Sequence, residues 1–284
     1  MAKLLKGAEV AAATDAATSE LVASLRARGV VPTLAILRVG ERTDDLSYER
    51  GAAKRCASVG IELRREVLPA DVGQEGLMSA LEKLNADQAV HGILVFSPLP
   101  RHLDEKAVRA ALDPEKDVDG ITDGSLAGVF TGSNRGFCPC TAEAAAEILD
   151  FYGIDCTGKR AAVVGRSLVV GKPAAMLLLR RNATVTICHT KTLDMPSVIK
   201  NTDIVIAAAG CMGMLGSEHL SPGQTVVDVG INWDAEAGKL RGDVRFDEAE
   251  PIVEAITPVP GGVGSVTTSI LARHTALAAE RQTR

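Results

Sequence analysis

The chain alternates between short apolar runs and longer stretches in which apolar residues recur at helical spacing. Residues 8–29 carry Val10, Leu21, Val22 and Leu25 at such spacing, which predicts an amphipathic helix stopping near Arg28-Gly29. The run 32–40 is apolar and ends in Gly40, as a buried strand does. A helix over 47–59 closed by Gly60, a strand over 61–68, a helix over 77–85 and a strand over 91–96 follow, the last stopped by Ser97-Pro98-Leu99-Pro100. Strands separated by helices imply a parallel sheet covered on both faces.

The rhythm breaks after Lys116-Asp117-Val118-Asp119-Gly120. Residues 121–140 are rich in Gly, Ser and Thr, and Thr141 is placed to N-cap an alanine-rich helix over 142–151. From Arg160 the pattern is strand, turn, helix (172–181), strand (183–188), helix (194–200) and two strands (203–209 and 224–229), the outline of a doubly wound dinucleotide-binding domain. Pro258-Val259-Pro260-Gly261-Gly262-Val263-Gly264 interrupts it. A last helix, 267–280, is expected to pack back on the first domain. The fold class is therefore α/β in two domains: a three-layer α/β domain over 1–120, completed by 266–284, and a Rossmann-type domain over 121–265.

Composition narrows the function. A net charge of −5 leaves no electrostatic footprint for nucleic acid or an anionic membrane. No run of about 18 apolar residues suggests a membrane span, and the N-terminus lacks a signal-peptide core. The six cysteines show no zinc spacing, so no metal is expected and reduced thiols in a cytoplasmic protein are the plain reading.

The segment Gly165-Arg166-Ser167-Leu168-Val169-Val170-Gly171-Lys172-Pro173 follows a strand and opens a helix. Such a turn presents backbone N–H groups to a phosphate. Gly165 permits the sharp turn, Gly171 the close helix start, and Pro173 suits a first helical turn. NAD sites place an Asp or Glu about 20 residues on, at the end of the second strand. Here that strand ends Cys188-His189-Thr190-Lys191-Thr192, with no acid. Arg166, Lys191 and the Thr190 hydroxyl would instead satisfy a 2′-phosphate, which favours NADP; solvated surface cations would leave the same trace.

Taken together, Tyr48, Ser97-Pro98-Leu99-Pro100, Lys116-Asp117-Val118-Asp119-Gly120, Gly165-Arg166-Ser167 and Pro260-Gly261-Gly262-Val263-Gly264 resemble the FolD family, methylenetetrahydrofolate dehydrogenase/cyclohydrolase. The resemblance runs in order and spacing along nearly the whole chain. It implies a homodimer of two α/β domains with a cleft between them, NADP on the second domain and a folate, 5,10-methylenetetrahydrofolate, in the cleft. It implies that Tyr48 stacks along the folate, that Asp119 bonds the pterin, and that Pro98, Leu99 and Gly262 flank the substrate. Gly165, Arg166, Ser167, Thr190, Lys191 and Ile231 would line the NADP site. Read singly, Tyr48 could be a helix-surface aromatic and Asp119 a loop cap.

The chain departs from the family pattern in places. The family's Tyr-x-x-x-Lys has Ala52 where the lysine stands, and its Val-Gln-Leu-Pro-Leu-Pro has Phe96 where the glutamine stands. Lys54, six residues after Tyr48, points roughly 120° away on a helix, and Arg55 cannot serve as a base. Ser265-Val266-Thr267 and Ile121-Thr122-Asp123-Gly124-Ser125 replace the usual Pro-Met-Thr and Phe-His-Pro-x-Asn. Hydride transfer needs mainly orientation, whereas opening the methenyl ring with water needs a tuned base. The expectation is a surviving dehydrogenase with cyclohydrolase activity absent or severely weakened. A non-catalytic folate- and NADP-binding paralogue, or a dehydrogenase with a recut pocket, are the other readings.

Overall fold

The computed structural model describes all residues from Met1 to Arg284. In chain order the elements are β1 (Lys3–Leu4), α1 (Gly7–Ala27), β2 (Thr33–Val39), α2 (Thr43–Val59), β3 (Glu62–Leu68), α3 (Gln74–Ala86), β4 (Gly92–Val95), α4 (Glu105–Ala111), α5 (Asp123–Thr131) and α6 (Cys140–Phe151). They continue with β5 (Arg160–Val164), α7 (Gly171–Arg180), β6 (Thr184–Cys188), α8 (Met195–Lys200), β7 (Ile204–Ala207), β8 (Thr225–Asp228), β9 (Asn232–Asp234), β10 (Lys239–Arg241), α9 (Phe246–Ala249), β11 (Ala255–Ile256) and α10 (Thr267–Gln282). They form two compact units: Ala13–Cys140 with Thr268–Arg284, and Met1–Ala12 with Thr141–Thr267.

The first unit holds a three-stranded parallel sheet in the order β3-β2-β4. Every residue of β2 and β4 is buried, as expected of apolar strands covered on both faces. β3 is one edge, and its charged residues Glu62, Arg64, Arg65 and Glu66 keep that edge wet. Leu37, Val39, Leu77, Leu81, Ile93 and Val108 belong to the core on one side.

The second unit holds a six-stranded parallel sheet in the order β1-β11-β8-β7-β5-β6. The strand order reverses beside β5, the mark of a doubly wound sheet. An antiparallel hairpin, β9 with β10, extends from it.

The boundaries differ from those expected at 120 and 265. Residues 121–140 stay with the first unit because Asp117, fully buried, ties them back. Its carboxylate accepts from the Ile121 and Thr122 N–H groups at 3.0 and 2.8 Å and from the Ser125 hydroxyl at 2.6 Å. The Gly/Ser/Thr-rich stretch is thereby not a linker but carries α5, capped by Thr122, whose hydroxyl accepts from the Ser125 N–H. Residues 1–12 join the second unit because β1 pairs in parallel with β11. Thr141 lies inside the first turn of α6 rather than capping it, since that helix starts at Cys140.

Candidate functional site

In the first unit, α2 carries Tyr48 and Ala52 on the face that packs inward. Glu49 anchors this helix to the sheet: it accepts from Arg38 Nε at 3.0 Å and from Arg65 Nε at 2.6 Å. Tyr48 is half-buried, and its ring meets that of Phe96 at a centroid distance of 5.9 Å and an interplanar angle of 87°. Phe96 is 9% exposed and Ala52 0%. Lys54 faces solvent, and Arg55 is ion-paired with Asp15 of α1. Pro98 is exposed, with its carbonyl accepting from Arg42 at 2.8 Å, while Leu99 packs on the core.

Asp119 stands on the turn that leaves the sheet after Lys116 and Asp117. Burial pushes its carboxyl up to about 7, the nearby Asp117 charge adds to this, and Cys140 and His274 pull the other way. Burial also holds the Tyr48 phenol well above its ordinary range, with Asp119 contributing. The turn is braced at the Val118 carbonyl, which accepts from Cys140 Sγ at 3.2 Å and lies 2.9 Å from His274 Nδ1. Gly120 has a φ of +71°, and a Cβ there would lie 2.4 Å from the Pro139 nitrogen, so only glycine fits.

Lys116 is structural. Its ammonium donates to the carbonyls of Leu84, Asn85 and Asp87 at 3.2, 2.8 and 2.7 Å, closing the end of α3. All three protons are committed.

In the second unit, the glycine turn follows β5 as its sequence predicts. Gly165 has a φ of +135°, and a Cβ on it would lie 2.1 Å from the Ala208 carbonyl oxygen; one on Gly171 would lie 2.2 Å from the Gly165 carbonyl oxygen. Ser167 Oγ accepts from the Val170 N–H at 3.1 Å and shapes the entry to α7. Residues 166–169 are exposed, which leaves the turn open to a ligand. Val164 pairs with Cys188, so Arg166 and Thr190 each stand two residues beyond the paired ends of adjacent strands. The turn after β6 is tight: the Lys191 N–H donates to His189 Nδ1 at 3.1 Å, and Thr190 and Lys191 face solvent. A glycine cradle with two exposed cations at the strand ends fits a phosphorylated dinucleotide.

Ile231 and Gly262 line a pocket of ≈ 250 Å³ beyond β8. The N–H of Gly7 donates to the Gly261 carbonyl at 2.8 Å, so the first turn of α1 supports this loop. No cluster of three or more His, Cys, Asp or Glu side chains is arranged to hold a metal, and none of the six cysteines forms a disulfide.

The family model described as the tetrahydrofolate dehydrogenase/cyclohydrolase catalytic domain matches residues 5–119, and that described as the NAD(P)-binding domain matches residues 139–283. The chain belongs to the tetrahydrofolate dehydrogenase/cyclohydrolase family. The bifunctional protein FolD of Carboxydothermus hydrogenoformans is 52% identical over 281 residues, covering 99% of this chain and 98% of that protein. The crystal structure of the FolD enzyme from Campylobacter jejuni aligns with a TM-score of 0.96 at 37% identity, covering 99% of each chain. FolD from Trypanosoma brucei, solved with NADP cofactor and an inhibitor, aligns with a TM-score of 0.93 at 38% identity, covering 100% of this chain and 99% of that one. No helix is long and apolar enough to cross a membrane.

Sequence reasoning missed two features of this FolD-family chain. Cys140 and His274 meet at the Val118 carbonyl although they stand 134 residues apart in the chain, and nothing local marks them. Asp228 and Asp243 are buried carboxylates in the second unit. Their signal was available: each is an acid inside or beside an apolar or glycine-flanked run, where a solvated charge has no place.

Proposed function

We propose that this protein oxidises 5,10-methylenetetrahydrofolate to 5,10-methenyltetrahydrofolate with NADP as cofactor, and that its hydrolysis of the methenyl product is severely weakened or absent. The observation that carries the second half is the apolar contact of Phe96 with Tyr48, together with the full burial of Ala52 one helical turn on. Where the family pattern has an ammonium and an amide, this pocket has a ring and a methyl group.

Oxidation asks little of the protein beyond placement. The methylene carbon gives up a hydride, and the lone pairs of its flanking nitrogens carry the resulting cation. No proton leaves the reacting carbon, so orientation of two bound molecules is most of the task. Tyr48 would lie along the folate, the Asp119 carboxylate would accept from N–H groups of the pterin, and Pro98 and Leu99 would flank it. Gly165 and Ser167 would seat the pyrophosphate, Ile231 would line the NADP site, and Arg166, Thr190 and Lys191 would hold the 2′-phosphate. Bound NADP supplies the hydride acceptor.

Hydrolysis asks for a group that takes a proton from water. Lys54 points to solvent, Lys116 has no free proton site, and Arg55 is bound to Asp15. The Tyr48 phenol is pushed out of range by burial. Asp119 is engaged by the pterin.

Two assays on the purified protein test this. One follows NADP reduction with methylenetetrahydrofolate; the other follows loss of methenyl absorbance without NADP. The expected result is brisk reduction and hydrolysis near the buffer rate. Hydrolysis well above the buffer rate overturns the second half, and it is the step to measure because the relatives bear the name bifunctional.

A further inference from the structure

Two buried carboxylates lie beneath the loops that follow β7 and β8, and the reaction described above uses neither. Asp243 is 0% exposed. Its Oδ2 accepts from the Gly210 N–H at 2.8 Å, and its Oδ1 accepts from the Cys211 N–H at 2.9 Å and the Asn232 amide at 3.0 Å. Asp228, at the end of β8, accepts from the N–H groups of Gly230, Asp243 and Val244 at 2.9, 3.0 and 2.9 Å. One carboxylate thus grips the backbone of the other, and the second reaches the loop after β7.

The packing around them is close. A Cβ on Gly230 would lie 2.3 Å from Asp243 Oδ1, and one on Gly242 would lie 1.8 Å from Asp228 Oδ2. The glycines at these positions leave room for the carboxylates. Three donors converge on the two oxygens of Asp243, which calls for a group that only accepts. An asparagine there would turn an NH₂ toward an N–H donor.

Sheet order says what these loops face. β6 lies on one side of β5, and β7 and β8 lie on the other. In a doubly wound sheet the dinucleotide crosses the strand ends where the order reverses, with its adenosine ribose at the end of the second strand. That strand is β6. The nicotinamide half would therefore lie over the ends of β7 and β8, where Gly210, Cys211, Gly230 and Ile231 stand.

We propose that Asp243 is a positioning residue for the nicotinamide half of the cofactor, holding the loops after β7 and β8 in the arrangement that half requires. This rests on the NADP-binding reading above. Asp228 supports it by fixing the backbone of residues 243 and 244.

The test compares two ligands. NADPH carries both halves and is followed by its fluorescence; adenosine 2′,5′-bisphosphate carries only the adenosine half and is followed by calorimetry. In Asp243→Asn, the Kd of NADPH should rise about tenfold and that of adenosine 2′,5′-bisphosphate stay within about twofold. Asn232→Ala removes one donor to Asp243 and should move NADPH about threefold in the same direction. Folded variants that bind both ligands as the wild type does, or that weaken both alike, overturn the proposal. If Asp243→Asn does not fold, Asn232→Ala decides by the same pair of measurements. A wild-type protein that binds NADPH but does not oxidise methylenetetrahydrofolate sinks the functional reading and leaves this one standing; a wild-type protein that does not bind NADPH sinks both.

Discussion

The rings of Tyr48 and Phe96 meet in a T, with centroids 5.9 Å apart. Such a pair contributes about 0.5–1.5 kcal/mol beyond the area it buries, so Phe96 fixes the ring of Tyr48, the aromatic proposed to lie along the folate. Ala52, one helical turn after Tyr48, is buried behind it. Ala52→Lys alone forces an ammonium against an apolar ring, at a cost of about 2 kcal/mol or more. Adding Phe96→Gln gives the ammonium a partner. The double variant should therefore melt above the single one and hydrolyse methenyltetrahydrofolate at least about tenfold faster than the wild type. Thermal melts and methenyl absorbance check the two halves.

Asp119 predicts a pH dependence. Its carboxyl is pushed up to about 7, mainly by burial. The ionised form is the one that accepts from pterin N–H groups, so KM for the folate should fall as pH rises through about 7. For stability the sign is opposite. The folded pKa lies above the unfolded one, so stability from this group is fully present below about pH 4 and is lost as pH rises through about 7. Asp119→Asn should flatten the KM profile, and its Tm advantage over the wild type should grow between about pH 4 and pH 8. Initial rates and melts across that range provide the check.

Asp117 should be the costliest polar residue of its loop to lose. Its three donors, Ile121 N, Thr122 N and Ser125 Oγ, would all be left without it. At about 1–3 kcal/mol for each buried group left unpaired, Asp117→Ala should lower stability by several kcal/mol and free residues 121–125. Urea denaturation measures the first effect, and limited proteolysis at that segment the second.

Arg166 and Lys191 should set cofactor choice. Each lies exposed beyond the end of its strand, and a charge-assisted bond to a 2′-phosphate is worth about 1.5–3 kcal/mol. Arg166→Ala or Lys191→Ala should raise KM for NADP about tenfold or more while leaving the KM for NAD within about twofold. Steady-state kinetics with both cofactors distinguishes this from a general loss of the site.

The parts of the fold that sequence made legible are those whose period is local. β2, β4, β7 and β8 are short, mostly apolar runs and are buried throughout. The cofactor turn announced itself because Gly165 and Gly171 answer to contacts within a few residues or with the adjoining strand. What escaped lacked a periodic pattern or was held by residues distant in the chain. α5 has the composition of a linker, yet Asp117 and Thr122 secure it and Gly128 lets the Arg135 carbonyl approach. The β9–β10 hairpin was invisible because most of its residues face water and lack an apolar alternation. On the site, the turn bearing Asp119 was legible from its motif, but its brace by Cys140 and His274 depends on α10, at the far end of the chain.

The pairing of β1 with β11 bears on how the molecule is made. The chain passes between its units after Ala12, Cys140 and Thr267. Neither residues 1–140 nor residues 141–284 contain a whole unit: the first piece lacks α10, and the second lacks the edge strand β1. On a ribosome, Lys3 and Leu4 emerge long before Ala255 and Ile256, their pairing partners, and the sheet around β2 waits for α10. Each unit is thus complete only once its distant segment has been made, and a chain cut short before β11 holds neither unit whole.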